Sequence, residues 1–393
     1  MAYHILLLND ISQSSITVFG ENYIVGRAWE DPEGILVRST PVDTDKYKRL
    51  VAVARAGAGV DTITVEKATN RGIAVFNTPG ANANAVAELV FIMIGQYARS
   101  VRDALEFVRS LAGLCTTKEE IHAHIEKGKS RFTGFELGGK TLGVIGLGNI
   151  GVRVANRGLV YGMRVVGYDS LPTLSNMHLL DARVEIAPRL EDVLVCADIV
   201  TVHVPLIPST RHLIGGKEIA RMKRDVILVN YAREGIYDDT AVLSAHADGQ
   251  VRVYITDFPT PQLMDKSFVV CTPHLGASTA ESVEKSSMMA AECLRKYLAY
   301  GVVSNSVNFP ILATMPRSTT RTRIMVVNRD VPKMIAKMTR TLGAVGVNIQ
   351  SMANESNGTI GYNIIDIDDV MPDGIVQQIE RIKDVLRVRV LLF

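Results

Sequence analysis

The chain has 393 residues, 47% of them apolar and 21% charged, with a formal net charge of +2. One hydrophobic core rarely serves that length, so two or three domains are expected. The near-neutral charge, without a dense Lys and Arg tract, excludes a broad nucleic-acid or anionic-membrane surface and leaves a small molecule as the expected partner.

Short β-branched runs alternate with helical segments, which predicts an α/β fold of parallel strands covered by helices on both faces. A first doubly wound sheet is expected from strands at 4–8, 35–38, 51–55 and 74–77. The apolar stretch from Val86 to Ile94 is interrupted by Glu88 and falls far short of the ~20 residues of a membrane span. The start lacks a basic n-region, so no secretory signal and a cytoplasmic location are expected. A second series at 141–145, 164–168, 199–204, 226–230, 251–256 and 268–271 matches the six strands of a dinucleotide-binding sheet. Cys115, Cys196, Cys271 and Cys293 have no paired spacing, which fits reduced thiols and no metal site. The polar segment 304–319 lacks periodicity and reads as a linker to a separate module. Beyond it the order strand, helix, strand, strand, helix, strand (324–328, 333–345, 348–353, 362–366, 374–382, 387–392) is that of a ferredoxin-like βαββαβ domain.

Gly146-Leu147-Gly148-Asn149-Ile150-Gly151 follows a strand and opens a helix, so backbone amides there can receive a pyrophosphate. At the end of the next strand Asp169 can bind both ribose hydroxyls and repel a 2′-phosphate, which favours NAD over NADP. Close helix packing by the glycines, with Asp169 as a helix cap, is the alternative. His203, Pro205, Arg233, Asp257 and His274 all follow carboxyl ends of strands, where an open parallel sheet binds its ligands. Arginine can clamp a carboxylate through two parallel hydrogen bonds, and histidine exchanges a proton near neutral pH. Those tools suit oxidation of a 2-hydroxy acid beside nicotinamide. A structural histidine at 274 and a loop-shaping His203 remain open.

Five stretches carry a resemblance: Arg55-Ala-Gly-Ala-Gly-Val-Asp61, Asn77-Thr-Pro-Gly80 through Glu88-Leu89, Gly139-Lys-Thr-Leu-Gly-Val-Ile-Gly146, His203-Val-Pro-Leu206 and Pro273-His-Leu-Gly-Ala-Ser-Thr279. Over nearly its whole length the sequence resembles the D-isomer-specific 2-hydroxyacid dehydrogenases, most narrowly those members that oxidise 3-phosphoglycerate for serine synthesis and carry an ACT domain. The resemblance implies a discontinuous substrate domain (1–98 and 280–303, with a crossing helix at 280–300), an NAD-binding domain (99–279), the linker 304–319 and an ACT domain (320–393). It also implies that Arg233 holds the substrate carboxylate, that His274 is the acid/base and that Asp257 anchors the carboxamide. Arg55, with the amides around Gly57 and Ala58, would face the substrate, while His203, Pro205 and Thr210 would line the cofactor. Arg38, Lys129 and Arg131 add cations suited to a phosphorylated 2-hydroxy acid, although solvation explains the last two equally well.

The pattern breaks at Gln262, where the family places a glutamate that pairs with the histidine. Glutamine can still accept a ring N–H but supplies no charge to favour the imidazolium. Oxidation, which needs the neutral ring, is expected to persist, and 2-oxo-acid reduction to weaken near pH 7. In the ACT-like module the candidate ligand residues for an amino-acid effector are Asn328, Asp330 and Asn348, and Lys333 replaces a usual glycine, which puts serine regulation in doubt. A homodimer or homotetramer is expected, and the module could serve only to extend a dimer. A related glyoxylate or hydroxypyruvate reductase and a ligand-binding regulator with attenuated turnover are the other readings.

Overall fold

The computed structural model describes residues 2–9, 11–372 and 374–393. The chain forms two compact units, Met1–Asn82 with Ala280–Phe393, and Ala83–Thr279. The first unit begins with β1 (Tyr3–Leu8), β2 (Tyr23–Gly26), β3 (Gly34–Val37), β4 (Ala52–Arg55) and β5 (Ala74–Phe76), all parallel in the order β2-β1-β3-β4-β5. Strand β2 was not expected. It is a four-residue edge strand with no buried position, so it carries none of the apolar alternation by which strands are recognised.

The second unit opens on α1 (Ala83–Ala98), whose Val86, Ala87, Val90 and Ile94 pack with Leu142 and Val165. This burial places the helix in the nucleotide unit, whereas the sequence reading draws that boundary at residue 99. Seven parallel strands follow: β6 (Thr141–Ile145), β7 (Arg164–Tyr168), β8 (Glu185–Ile186), β9 (Ile199–Val202), β10 (Val226–Asn230), β11 (Val251–Thr256) and β12 (Val269–Cys271). Their order, β12-β11-β10-β9-β6-β7-β8, reverses direction between β6 and β9. That switch point is where an open α/β sheet leaves a crevice for a ligand. The strand beyond the expected six, β8, has two residues, both exposed.

The chain returns to the first unit through α3, preceded in sequence by the nucleotide-unit helix α2 (Gly151–Val160); α3 spans Ala280–Tyr300. Its buried face changes from Ser282, Ser286 and Ser287 to Leu294, Tyr297 and Leu298. The C-terminal domain is then β13 (Thr322–Arg329), α4 (Met334–Gly343), β14 (Ile349–Ser356), β15 (Ile360–Ile367), α5 (Ile375–Glu380) and β16 (Val385–Leu392). These strands are antiparallel in the order β14-β15-β13-β16, the expected split βαβ arrangement.

One face of this sheet, through Ile324, Val326 and Ile365, packs on Met334, Met338, Leu342, Ile375 and Ile379 of the two helices. The other face is also covered, because Met325, Val327, Tyr362 and Ile364 share a core with Tyr297, Leu298 and Phe309. Buried Arg323 forks onto Asp366, with Nε–Oδ1 2.7 Å and Nη2–Oδ2 2.8 Å. Its Nη1 donates to the carbonyls of Tyr300 (2.8 Å) and Thr314 (2.7 Å). Arg389 donates to Tyr297 O and Leu298 O, and the Tyr362 hydroxyl to Gly301 O. Carbonyls at the C-terminus of a helix lack partners along the helix; here the C-terminal domain donates to Leu298 O and Tyr300 O, and adds a second donor to Tyr297 O, which already accepts from Gly301 N.

A freely jointed linker is therefore not what the polar segment forms. Asn77 N donates to Asn305 O and Val307 N to Val75 O. The Asn308 side chain, 6% exposed, accepts from Val75 N and donates to Ile73 O and Thr69 Oγ1. Its polarity satisfies the backbone of strand β5 rather than water. Among the described residues no helix is long and apolar enough to cross a membrane.

Candidate active site

The loop after β6 is shaped by glycines. Gly146 has φ +93°, and a Cβ there would stand 2.7 Å from His203 O; a Cβ on Gly151 would lie 1.8 Å from Gly146 O. At Gly148 a Cβ would meet nothing within 4 Å, so the backbone offers an open cradle. Asn149 and Ile150 lead into α2, which has no side-chain cap on its first turn and so keeps amides available to an anion. Asp169 Oδ2 accepts from Leu147 N (2.7 Å) and Oδ1 from Leu171 N (2.8 Å). It is therefore fixed against the glycine loop, with a further lone pair on each oxygen. These residues fit a dinucleotide: the amides of Gly146–Gly151 would receive its pyrophosphate and Asp169 would bind its ribose hydroxyls.

His203 lies beside the same loop, its N–H donating to Ile145 O at 2.7 Å. Part of the residue is exposed, but Nδ1 is sealed from solvent without a partner, and Nε2 is 3.0 Å from Thr201 Oγ1. Burial pushes this imidazole down to about 3, so it is neutral at physiological pH. The Thr210 hydroxyl donates to Pro205 O and accepts from Ile207 N, closing the turn that carries Pro205.

At the carboxyl ends of β10, β11 and β12 the geometry centres on Asp257. Its carboxylate is 1% exposed and accepts from Thr272 Oγ1 (2.5 Å), Leu275 N (2.7 Å) and Gly276 N (2.7 Å). Its own carbonyl accepts from His274 N at 3.1 Å. His274 is thus held from both sides at φ +55°, a left-handed conformation uncommon for a side-chain-bearing residue. Its ring is exposed and meets Phe258 edge-on, with centroids 5.1 Å apart. Asp257, expected from the sequence to anchor a cofactor amide, also anchors the histidine loop.

Arg233 follows β10 on a turn organised by buried Asn230, whose Nδ2 donates to Arg233 O (2.9 Å) and to the Tyr254 hydroxyl (3.2 Å), and whose Oδ1 accepts from Ala232 N. The guanidinium donates to Ala232 O and forms no ion pair among the described residues. Gln262 is exposed, and no hydrogen bond joins it to His274 among the described residues. Asn230, Phe258 and Thr272 were missed at the sequence level; polar residues ending apolar strands were the available signal. Cys271 packs in the core beneath this edge, and burial pushes its thiol up, away from a nucleophile's range.

In the other unit, Arg55 Nε donates to Arg38 O at 2.9 Å and Nη1 to Gly59 O. Gly57 O accepts from Thr78 N, and Ala58 O from Asn77 Nδ2 at 2.6 Å. Arg55 therefore braces its own loop through carbonyls. Lys129 is paired with Glu126 at 2.6 Å, and Arg131 lies 4.2 Å from the Phe107 ring centroid, so both are engaged locally on the nucleotide unit's surface. In the C-terminal domain, buried Asn328 is tied to Asn363 Nδ2 (2.7 Å) and Arg329 O, and Asp330 to the Ser356 hydroxyl. Strand register pairs Asn328 with Gly361 but puts exposed Asn348 beside the Ile349–Ile367 pair. The candidates thus stand at opposite ends of the sheet, roughly 20 Å apart at strand spacing. One chain does not bring them together. Lys333 caps α4 at φ +72°, the conformation for which glycine is usual.

Residues 104–276 match the family model of the D-isomer specific 2-hydroxyacid dehydrogenase, NAD binding domain. The chain is 37% identical over 294 residues to the D-3-phosphoglycerate dehydrogenase of Methanocaldococcus jannaschii, covering 72% of this chain and 52% of that one. With the Homo sapiens D-3-phosphoglycerate dehydrogenase the identity is 40% over 263 residues, covering 64% and 46%. Among solved structures it is similar to the NAD+-bound 3-phosphoglycerate dehydrogenase of Entamoeba histolytica, with a TM-score of 0.61, 25% identity and coverage of 79% and 100%. The chain spans about half the length of the curated relatives it matches. Switch-point sheet, glycine cradle and acidic strand end together define a dinucleotide-binding α/β protein. Within that class, the nucleotide domain is that of the D-isomer specific 2-hydroxyacid dehydrogenases and is of the NAD-binding type.

Proposed function

We propose that this chain oxidises a D-2-hydroxy acid with NAD, and that the acid is 3-phosphoglycerate, giving 3-phosphohydroxypyruvate for serine synthesis. The observation that carries the reading is the exposed His274, locked in a left-handed turn by a buried carboxylate in the unit that holds the glycine cradle. NAD, when bound, supplies the hydride acceptor. Arg233 takes the substrate carboxylate in a charge-assisted, two-pronged bond and orients C2. As the C2 hydrogen leaves with its electron pair, the hydroxyl proton passes to neutral His274 and the C2–O bond becomes a carbonyl. Asp257 keeps the imidazole in place throughout.

Phosphorylated substrate is favoured by the similarity to D-3-phosphoglycerate dehydrogenases and by the Arg55 loop, whose guanidinium suits a phosphate or carboxylate. A cytoplasmic homo-oligomer and an effector at the C-terminal domain belong to the same proposal. The test is initial-rate NADH formation from NAD with 3-phosphoglycerate, D-glycerate, D-lactate and D-2-hydroxyglutarate. Turnover preferring 3-phosphoglycerate and lost in Arg233→Ala and His274→Ala is the expected result. A preference for an unphosphorylated acid overturns the substrate, and NAD binding without turnover of any acid overturns the activity.

A further inference from the structure

The amino ends of the second sheet, away from the loops of the candidate active site, enclose a cavity of about 230 Å³ lined by Phe135, Lys140, Asp198, Arg224, Asp225 and Arg252. Topology sets its place. Lys140 immediately precedes β6, Asp198 precedes β9, Asp225 precedes β10 and Arg252 is the second residue of β11, and these four strands are neighbours. The loops bearing His203, Arg233 and Asp257 leave the other end of the same strands.

The cavity has more positive than negative charge left to satisfy. Asp198 is already engaged, Oδ2 accepting from Thr141 N at 2.7 Å and Oδ1 from Lys223 Nζ at 2.8 Å. Arg252 is the one exposed residue of an otherwise buried strand. Its guanidinium lies 5.2 Å from the Phe135 ring centroid and 6.0 Å from that of Tyr97, and it forms no ion pair among the described residues. Lys140 lies 5.9 Å from the Phe135 ring centroid and forms no ion pair among the described residues, acting on Asp198 only through its field, and Arg224 donates to a backbone carbonyl, Asp248 O. Asp225, itself at φ +60°, is the one lining carboxylate with no ion pair among the described residues. Aromatic packing restrains the Arg252 side chain with its donors unspent, which lowers the entropic cost of receiving an anion. Three cations around so small a volume match a compact dianion with oxygens on several sides, and guanidinium geometry matches phosphate.

We propose that this cavity binds the phosphate of a small organic phosphate ester, at a second site whose residues take no part in the hydroxy-acid chemistry. The volume admits a phosphate with a short stem and is below the range typical of sites for larger ligands.

The experiment is isothermal titration of the full chain with inorganic phosphate and with glycerol 3-phosphate, at saturating NAD to occupy the glycine cradle and at ionic strength held constant with sodium chloride. Wild-type protein is expected to bind glycerol 3-phosphate with Kd below about 1 mM, and Lys140→Ala/Arg252→Ala at least about tenfold more weakly, with NAD affinity unchanged. Arg252→Gln alone should show the same direction if the double variant does not fold. Equal binding by wild type and variants places the anion elsewhere and overturns the proposal, as does the absence of binding by either probe up to about 20 mM in wild type.

Discussion

Asp257 and Asp366 are both almost fully buried carboxylates, 1% and 2% exposed, yet they support opposite kinds of structure. Asp366 meets an arginine in a two-pronged ion pair within an antiparallel sheet, and the remaining donors of that arginine close the end of α3. Asp257 meets no cation among the described residues. Two amides and a hydroxyl surround it, and the loop they belong to presents an exposed histidine in a strained conformation. In the sheet a buried carboxylate is matched by a buried guanidinium. In the loop the acceptors of the carboxyl group hold backbone and a hydroxyl instead, so its replacement should alter chemistry before it alters the fold.

The largest effect is expected on the sheet side. Arg323→Ala leaves Asp366 buried without its counter-charge and should cost about 3–5 kcal/mol of unfolding free energy, whereas Arg323→Met with Asp366→Leu should recover most of it. Denaturant titration read by the single Trp29, which stacks on His4 in the same unit, checks both. If Arg323→Ala loses less than about 1 kcal/mol, the pair does not secure the sheet.

On the loop side, Asp257→Asn keeps the volume but turns an amide donor toward at least one backbone N–H. Displacing His274 by about an ångström should reduce kcat about a hundredfold, with little change in the KM for NAD. A raised KM for NAD with kcat retained would show instead that the carboxylate acts chiefly on the cofactor.

A third effect separates the two regions by pH. His203 is lowered from 6.5 to about 3 by burial, so the unfolded chain binds its proton first as pH falls. Its contribution to stability is complete above about pH 6.5 and declines toward pH 3, by up to about 1.4 kcal/mol per pH unit. His203→Phe should flatten that acid limb in equilibrium unfolding, and an unchanged slope would assign the acid loss to other groups. The smallest effect is expected from Gln262→Glu. With residue 262 exposed and unbonded to His274, the pH profile of 2-oxo-acid reduction should move by less than about twofold in rate near neutrality; a clear gain would show that residue 262 reaches the histidine during turnover.

The sequence was most legible where chemistry and backbone demand fall on adjacent residues. Gly146 to Gly151 encode a turn, a cradle and a helix start in one motif, and the C-terminal βαββαβ order follows from periodicity alone. Edge strands β2 and β8 escaped because exposed short strands have no apolar face to display. The Asn230 and Thr272 networks escaped because their partners are distant in sequence. Polarity misled at 304–319, where Asn308 is buried to serve the backbone of β5. Strand register, which sets Asn328 and Asn348 apart, is fixed by pairings that composition does not reveal.

The discontinuity of the first unit also bears on its synthesis. Strands β1–β5 leave the ribosome long before α3 and the C-terminal sheet, and it is those late segments that cover Ile5, Leu36, Ala54 and Phe76. The nucleotide unit, contiguous from Ala83 to Thr279, can close its core as soon as it emerges. The segment made first is therefore completed last, and its exposed apolar strands are the part of the nascent chain most in need of protection while translation proceeds.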